Sequence, residues 1–213
     1  MNLFPFVVLE GGSKQDKSYA IVAVFILIVI LFAVIFSNTL YNSAIINYST
    51  LEKYGWREDI KERDSDSQIL NSWCSYTYKN NNISYPSYIT ITTIKSLFML
   101  SEYELINKIK ETINEQTNKQ NIQINQPSKI QNRYIKNNHN TVFVTYEGID
   151  NSSSFSEKIK IIGEAWNCGN SGTSIICIGL SQITDEKNNN PTNLDFWDQI
   201  KQTNGLLYNV ECH

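Results

Sequence analysis

Residues 158–180 read KIKIIGEAWNCGNSGTSIICIGL, and how they pair decides the fold. Ile159 and Ile161 alternate with lysines inside Glu157–Trp166, the period-two pattern of a strand. Ser174–Leu180, SIICIGL, is nearly all apolar, as a central strand covered on both faces is. Asn167-Cys168-Gly169-Asn170-Ser171-Gly172-Thr173 lies between them and is a turn by composition. So short a link favours antiparallel pairing, since parallel strands need a crossover of a dozen or more residues.

Working outward, Thr141–Glu147 sets Val142, Val144 and Tyr146 against Phe143 as a third strand. SWCSYTYK (72–79) and SYITITTIK (87–95) are rich in Tyr, Thr and Ile and read as two more. Between these groups Ser101 and Glu104 form a capping box, followed by the apolar stripe Leu105, Ile106, Ile109 and Ile113 of a helix. Residues 116–140 are polar, with Pro127 in the middle, and read as a long loop. Residues 192–202, with Leu194, Trp197 and Ile200, read as a second helix stopped by Gly205, and LLYNVEC from Leu206 as a last strand. The expected fold class is α+β, with a mainly antiparallel sheet and two helices on one face, over 71–213.

Ahead of this domain there is no charged residue from Ser18 to Leu51, and Ala20–Phe36 is wholly apolar. Residues 18–40 read as one transmembrane helix, about 34 Å long against a ~30 Å hydrocarbon core. Lys14 and Lys17 precede it, and the next basic residue is Lys53. That asymmetry predicts a cytoplasmic tail over 1–17 and a domain outside the cell membrane. Residues 41–70, charged from Glu52 onward, read as a membrane-proximal stalk. The lipid bilayer is then one partner.

A net charge of -3 leaves no basic excess to neutralise phosphates, so nucleic acid is excluded as a partner. No GxGxxG, P-loop, HExxH, GxSxG or CxxC occurs, and no catalytic residue or enzyme class follows. Of the two histidines, His139 falls in an Asn-rich loop and reads as solvated. The strand glutamates Glu147, Glu164 and Glu211 read as solvent-facing charges.

Four cysteines, Cys74, Cys168, Cys177 and Cys212, all follow the apolar segment, as disulfides in an oxidising compartment would. If the turn centres on Gly172-Thr173, Cys168 faces Cys177, and Cys74 is left for Cys212. Four cysteines allow three connectivities, and spacing does not choose among them. The alternative is a copper or zinc site formed by Cys168, Cys177, Cys212 and His213, in which case copper would be the cofactor. Asn47, Asn82 and Asn151 begin N-x-S sequons and are glycosylation candidates.

Gly55-Trp56-Arg57-Glu58-Asp59, Glu62-Arg63-Asp64-Ser65, Thr90-Ile91-Thr92-Thr93-Ile94-Lys95 and the hairpin KIKIIGEAWNCGNSGTSIICIG carry a resemblance over most of the outer domain. It resembles an uncharacterised family of membrane-anchored envelope proteins from ammonia-oxidising archaea. The resemblance implies an archaeal envelope, where asparagine is glycosylated and copper enzymes work outside the membrane. The functional expectation is an interaction or accessory-subunit domain with a partner in the envelope or a membrane complex. The alternative is a metal-binding redox accessory domain.

Overall fold

The computed structural model describes residues 43–68, 71–80, 87–151, 156–183 and 195–212. Its centre is the expected hairpin. β9 (Glu157–Cys168) and β10 (Thr173–Gln182) pair antiparallel from Cys168↔Thr173 to Ile159↔Gln182. The turn closes with Gly172 donating its amide to the Cys168 carbonyl at 2.9 Å, at a φ of 64° that favours glycine.

Five further long or edge strands extend this pair: β2 (Trp56–Glu58), β4 (Asn71–Asn80), β5 (Ser87–Ser96), β6 (Ile122–Ile124) and β8 (His139–Asp150). The sheet order is β2-β4-β5-β10-β9-β8-β6. β3 (Asp64–Ser67) shares the outer edge of β4 with β2, and β7 (Gln131–Ile135) shares that of β8 with β6. Every pairing is antiparallel. A separate two-stranded sheet joins β1 (Ile45–Ile46) to β11 (Val210–Glu211).

Both faces of the large sheet are covered. On one lies α2 (Glu102–Lys119), opened by the predicted capping box, with Leu105, Ile109 and Ile113 buried against Val144, Tyr146, Ile159, Ile161 and Ile176. Each such side chain contributes roughly 1.5–3 kcal/mol on burial. Gly163 makes the close approach feasible, because a Cβ there would sit 2.1 Å from Ile109 Cγ2. The opposite face is covered by the two ends of the described chain. Ala44, Ile46, Leu51 and Trp56 come from the N-terminal side, and Ile200, Leu206, Leu207 and Val210 from the C-terminal side. They pack on Tyr78, Ile89, Ile91, Ile162, Trp166 and Ile175.

The expected fold class is corrected in its helices and in its first segment. Among the described residues there are three α-helices, α1 (Tyr48–Tyr54), α2 and α3 (Phe196–Lys201), and they occupy both faces. The stretch read as a stalk instead supplies β1, α1, β2 and β3, because Leu51 and Trp56 are needed to cover the sheet. The stretch read as a loop supplies the end of α2, then β6 and β7. The expected last strand is mostly a 3₁₀ turn, Leu207–Asn209, before β11. Among the described residues no helix is long and apolar enough to cross a membrane. The tail over 1–17 and the expected span over 18–40 lie outside the described residues.

Candidate functional site

The groups able to do chemistry gather on the face covered by the chain ends. Alternation along β9 puts Glu164, Trp166 and Cys168 there, and antiparallel register sets Cys177 of β10 opposite Glu164. Cys168 is bonded to Cys212, with Cα atoms 6.5 Å apart. His139, the first residue of β8, places Nε2 3.4 Å from Cys212 Sγ, with its ring 6.4 Å from that of Trp166. His139, Cys168 and Cys212 hold their ligand atoms within 4.8 Å of one another.

The cysteine pairing therefore differs from Cys168–Cys177 with Cys74–Cys212. The turn centres between Asn170 and Ser171, which brings Thr173 rather than Cys177 opposite Cys168. Cys74 and Cys177 are free and buried. β5 runs between them, and the Cys74 sulfur lies 2.9 Å from the Ser43 hydroxyl. The expected metal set loses Cys177 for the same reason. His213 lies outside the described residues, and the imidazole beside the sulfurs belongs to His139, which is not the solvated loop residue expected.

Glu164 is likewise not a surface charge: its side chain is 0% exposed. It accepts hydrogen bonds from Arg133 Nε at 2.7 Å, from Arg133 Nη2, and from the Thr141 hydroxyl at 2.6 Å. Arg133 also donates to the carbonyl of Lys201, which ties the sheet to the end of α3. This bidentate grip needs the planar guanidinium fork. A signal for it was present in the sequence. Glu164 interrupts the apolar run IIGEAW, and Arg133 is one of three arginines against fifteen lysines.

Cys177 is held in an unreactive state. Burial pushes the Cys177 thiol well above its usual range, the nearby Glu164 carboxylate adds to this, and Arg133 partly opposes it. A neutral, sealed thiol is neither nucleophile nor metal ligand. Glu147 and Glu211 have basic partners of their own, Lys160 at 4.0 Å and Lys136 at 2.6 Å, so each strand glutamate sits in a separate ion pair.

Farther along the same face, an open groove of about 720 Å³ is lined by Leu51, Trp56, Arg57, Arg63, Tyr76 and Tyr78 among others. Arg63 lies over the Tyr76 ring and is paired with Glu58. Of the sequon asparagines, Asn47 caps α1, its carboxamide oxygen accepting from the Ser49 amide and hydroxyl at 2.9 and 2.8 Å. Asn151 accepts from the Ser156 hydroxyl at 3.1 Å, and Asn82 lies outside the described residues. Comparison with protein-family models, with curated proteins and with solved structures gives no match.

Proposed function

We propose that the protein is a membrane-anchored extracytoplasmic interaction or accessory-subunit module of a cell envelope, without a catalytic centre. The observation that carries this reading is the closure of the sheet by its own chain on both faces, with Glu164, Cys177 and the Cys168–Cys212 bridge sealed beneath the cover. What remains for function is outer surface. The disulfide supports an oxidising compartment, and the charge-free residues 18–40 support an anchor in the lipid bilayer. The family resemblance supports an archaeal envelope, with Asn47, Asn82 and Asn151 as glycan acceptors.

The test uses the full chain in its native membrane. Externally added protease should remove the domain from intact cells. Crosslinking followed by gentle solubilisation should recover one stoichiometric protein partner. A protease-protected domain, or a chain that remains monomeric at every crosslinker concentration, would contradict the reading.

A second reading rests on the His139, Cys168 and Cys212 ligand atoms lying within 4.8 Å. In the oxidised protein the sulfurs are committed to each other. In the reduced protein two thiolates and an imidazole would suit copper(I) or zinc. Stoichiometric copper(I) uptake by reduced protein, lost on His139→Ala, would favour a redox accessory domain, and absence of uptake would eliminate it.

A further inference from the structure

We infer that the loop joining β5 to α2 dips into the outer leaflet of the bilayer that anchors the chain. This rests on the membrane-anchored reading proposed above. Residues 96–101 read SLFMLS and carry no charge. Phe98 is 79% exposed, Leu97 51% and Met99 45%, and Tyr103 follows at 74% in the first turn of α2. Water-exposed apolar side chains so close together mark a contact site.

The loop is built to hold them outward. The Ser96 hydroxyl donates to the Phe98 carbonyl. Leu100 donates its amide to the Ser174 hydroxyl at 2.9 Å, and Asn167 donates its side-chain amide to the Leu100 carbonyl at 2.8 Å. Both ends of the apolar tip are thereby fixed, one to itself and one to the β9–β10 hairpin.

The path of the chain before β1 names the occupant. Ser43 lies against Cys74, Ala44 donates its amide to Thr93 Oγ1 at 2.8 Å, and Ile46 donates its amide to the Tyr78 hydroxyl at 3.3 Å. Going back from Ile46 to Ser43 thus means moving from Tyr78 toward Cys74, to the end of the sheet where β4 starts and β5 finishes. Thr93 is three residues before Ser96, about 10 Å along the strand. The chain leaves the domain at the end that carries Leu97, Phe98 and Met99.

Residues 41–42 separate Leu40, the last residue of the expected span, from Ser43. The three steps from Leu40 to Ser43 reach at most about 11 Å. That tether holds this end of the domain at the membrane surface, and side chains such as these bury about 5–10 Å into the interface. A protein partner at this end would have to fit within the same gap.

The test is full-length protein reconstituted in phosphatidylcholine/phosphatidylglycerol vesicles. An environment-sensitive fluorophore is placed on Phe98→Cys and, as a control at the opposite end of the sheet, on Ile149→Cys. Phe98 is too exposed for its replacement to disturb the core, and wild-type protein, with Cys74 and Cys177 buried, gives the labelling blank. Nitroxide-labelled lipid should quench the probe at 98 at least about threefold more than that at 149, with the reverse order for aqueous iodide. A probe at 98 that behaves like that at 149, in protein that still floats with vesicles after alkaline wash, overturns the inference and leaves the anchor intact. A probe shielded from both quenchers means that protein covers the loop, and also overturns it. Failure of the protein to float defeats the anchor itself.

Discussion

Removing the Cys168–Cys212 bridge with a Cys168→Ala/Cys212→Ala double variant should cost the fold about 4 kcal/mol. The bridge closes a loop with a sequence separation of 44. Constraining a loop of that size in the unfolded chain is worth ~4 kcal/mol at 25 °C in the chain-entropy model. For a domain of this size each kcal/mol moves the melting temperature by roughly 2–4 °C, so the expected fall is about 8–16 °C. The assay is thermal unfolding of the full chain in detergent micelles, followed by tryptophan fluorescence because Trp166 and Trp197 lie beneath or within the cover that the bridge holds. Wild-type protein in reductant should show the same fall, whereas Cys74→Ala should leave its sensitivity to reductant unchanged. A shift below about 3 °C, with the bridge confirmed by peptide mapping of the wild type, would refute the loop-entropy reasoning. Peptide mapping that joined Cys168 to Cys177 would refute the register itself.

Arg133→Met should cost about 3–5 kcal/mol by stranding the Glu164 charge, while Arg133→Met with Glu164→Leu should recover most of it, as measured by urea unfolding. Gly163→Val should destabilise by at least about 1–3 kcal/mol, because the added side chain runs into Ile109 and α2 must lift, and circular dichroism with urea unfolding measures it. Burial raises both the Cys177 thiol and the Tyr78 hydroxyl, so the folded chain keeps protons that the unfolded chain releases. Stability is then full below the unfolded thiol value near pH 8.5 and falls as pH rises beyond it, which urea midpoints at pH 7, 9 and 10.5 should show as a monotonic decline. Cys177 should also resist maleimide at pH 8 in folded protein and react within minutes in denaturant.

The elements legible in the sequence were those whose side chains repeat at the period of their structure. The β9–β10 hairpin, β4, β5 and the α2 stripe all alternate or recur because each carries a buried face. β3 does not: Asp64, Ser65, Asp66 and Ser67 are all exposed, and the strand exists because its backbone pairs with Ser72–Ser75. β7 is hidden for the same reason, with mostly exposed side chains and a ladder to β8. The N-terminal segment reads as a stalk because its few apolar residues, Leu51 and Trp56 among them, show no period of their own and are matched to a sheet formed by later strands. At the candidate site, composition pointed to a disulfide, but the partner of Cys168 depended on where a seven-residue turn reverses. A shift of the turn centre by two positions, from 172–173 to 170–171, exchanges Cys177 for Thr173. His139 could not be placed beside the sulfurs without knowing that β8 begins there.

The pairing of β1 with β11 also sets an order of assembly. Ile45 and Glu211 come from opposite ends of the described chain, so their contact is among the most non-local in the fold and the slowest to find. α2 needs only β6 and strands β8 to β10, which follow it closely, and can settle as soon as these are paired. Until Leu206, Leu207, Val210 and Cys212 arrive, the face carrying Trp166, Ile175 and Ile91 is only partly covered, by the N-terminal side alone, on a nearly finished sheet. A chain stopped short of β11 during synthesis would present that partly bare surface to its neighbours, so aggregation should be most severe for truncations that spare every long strand and remove only the last dozen residues.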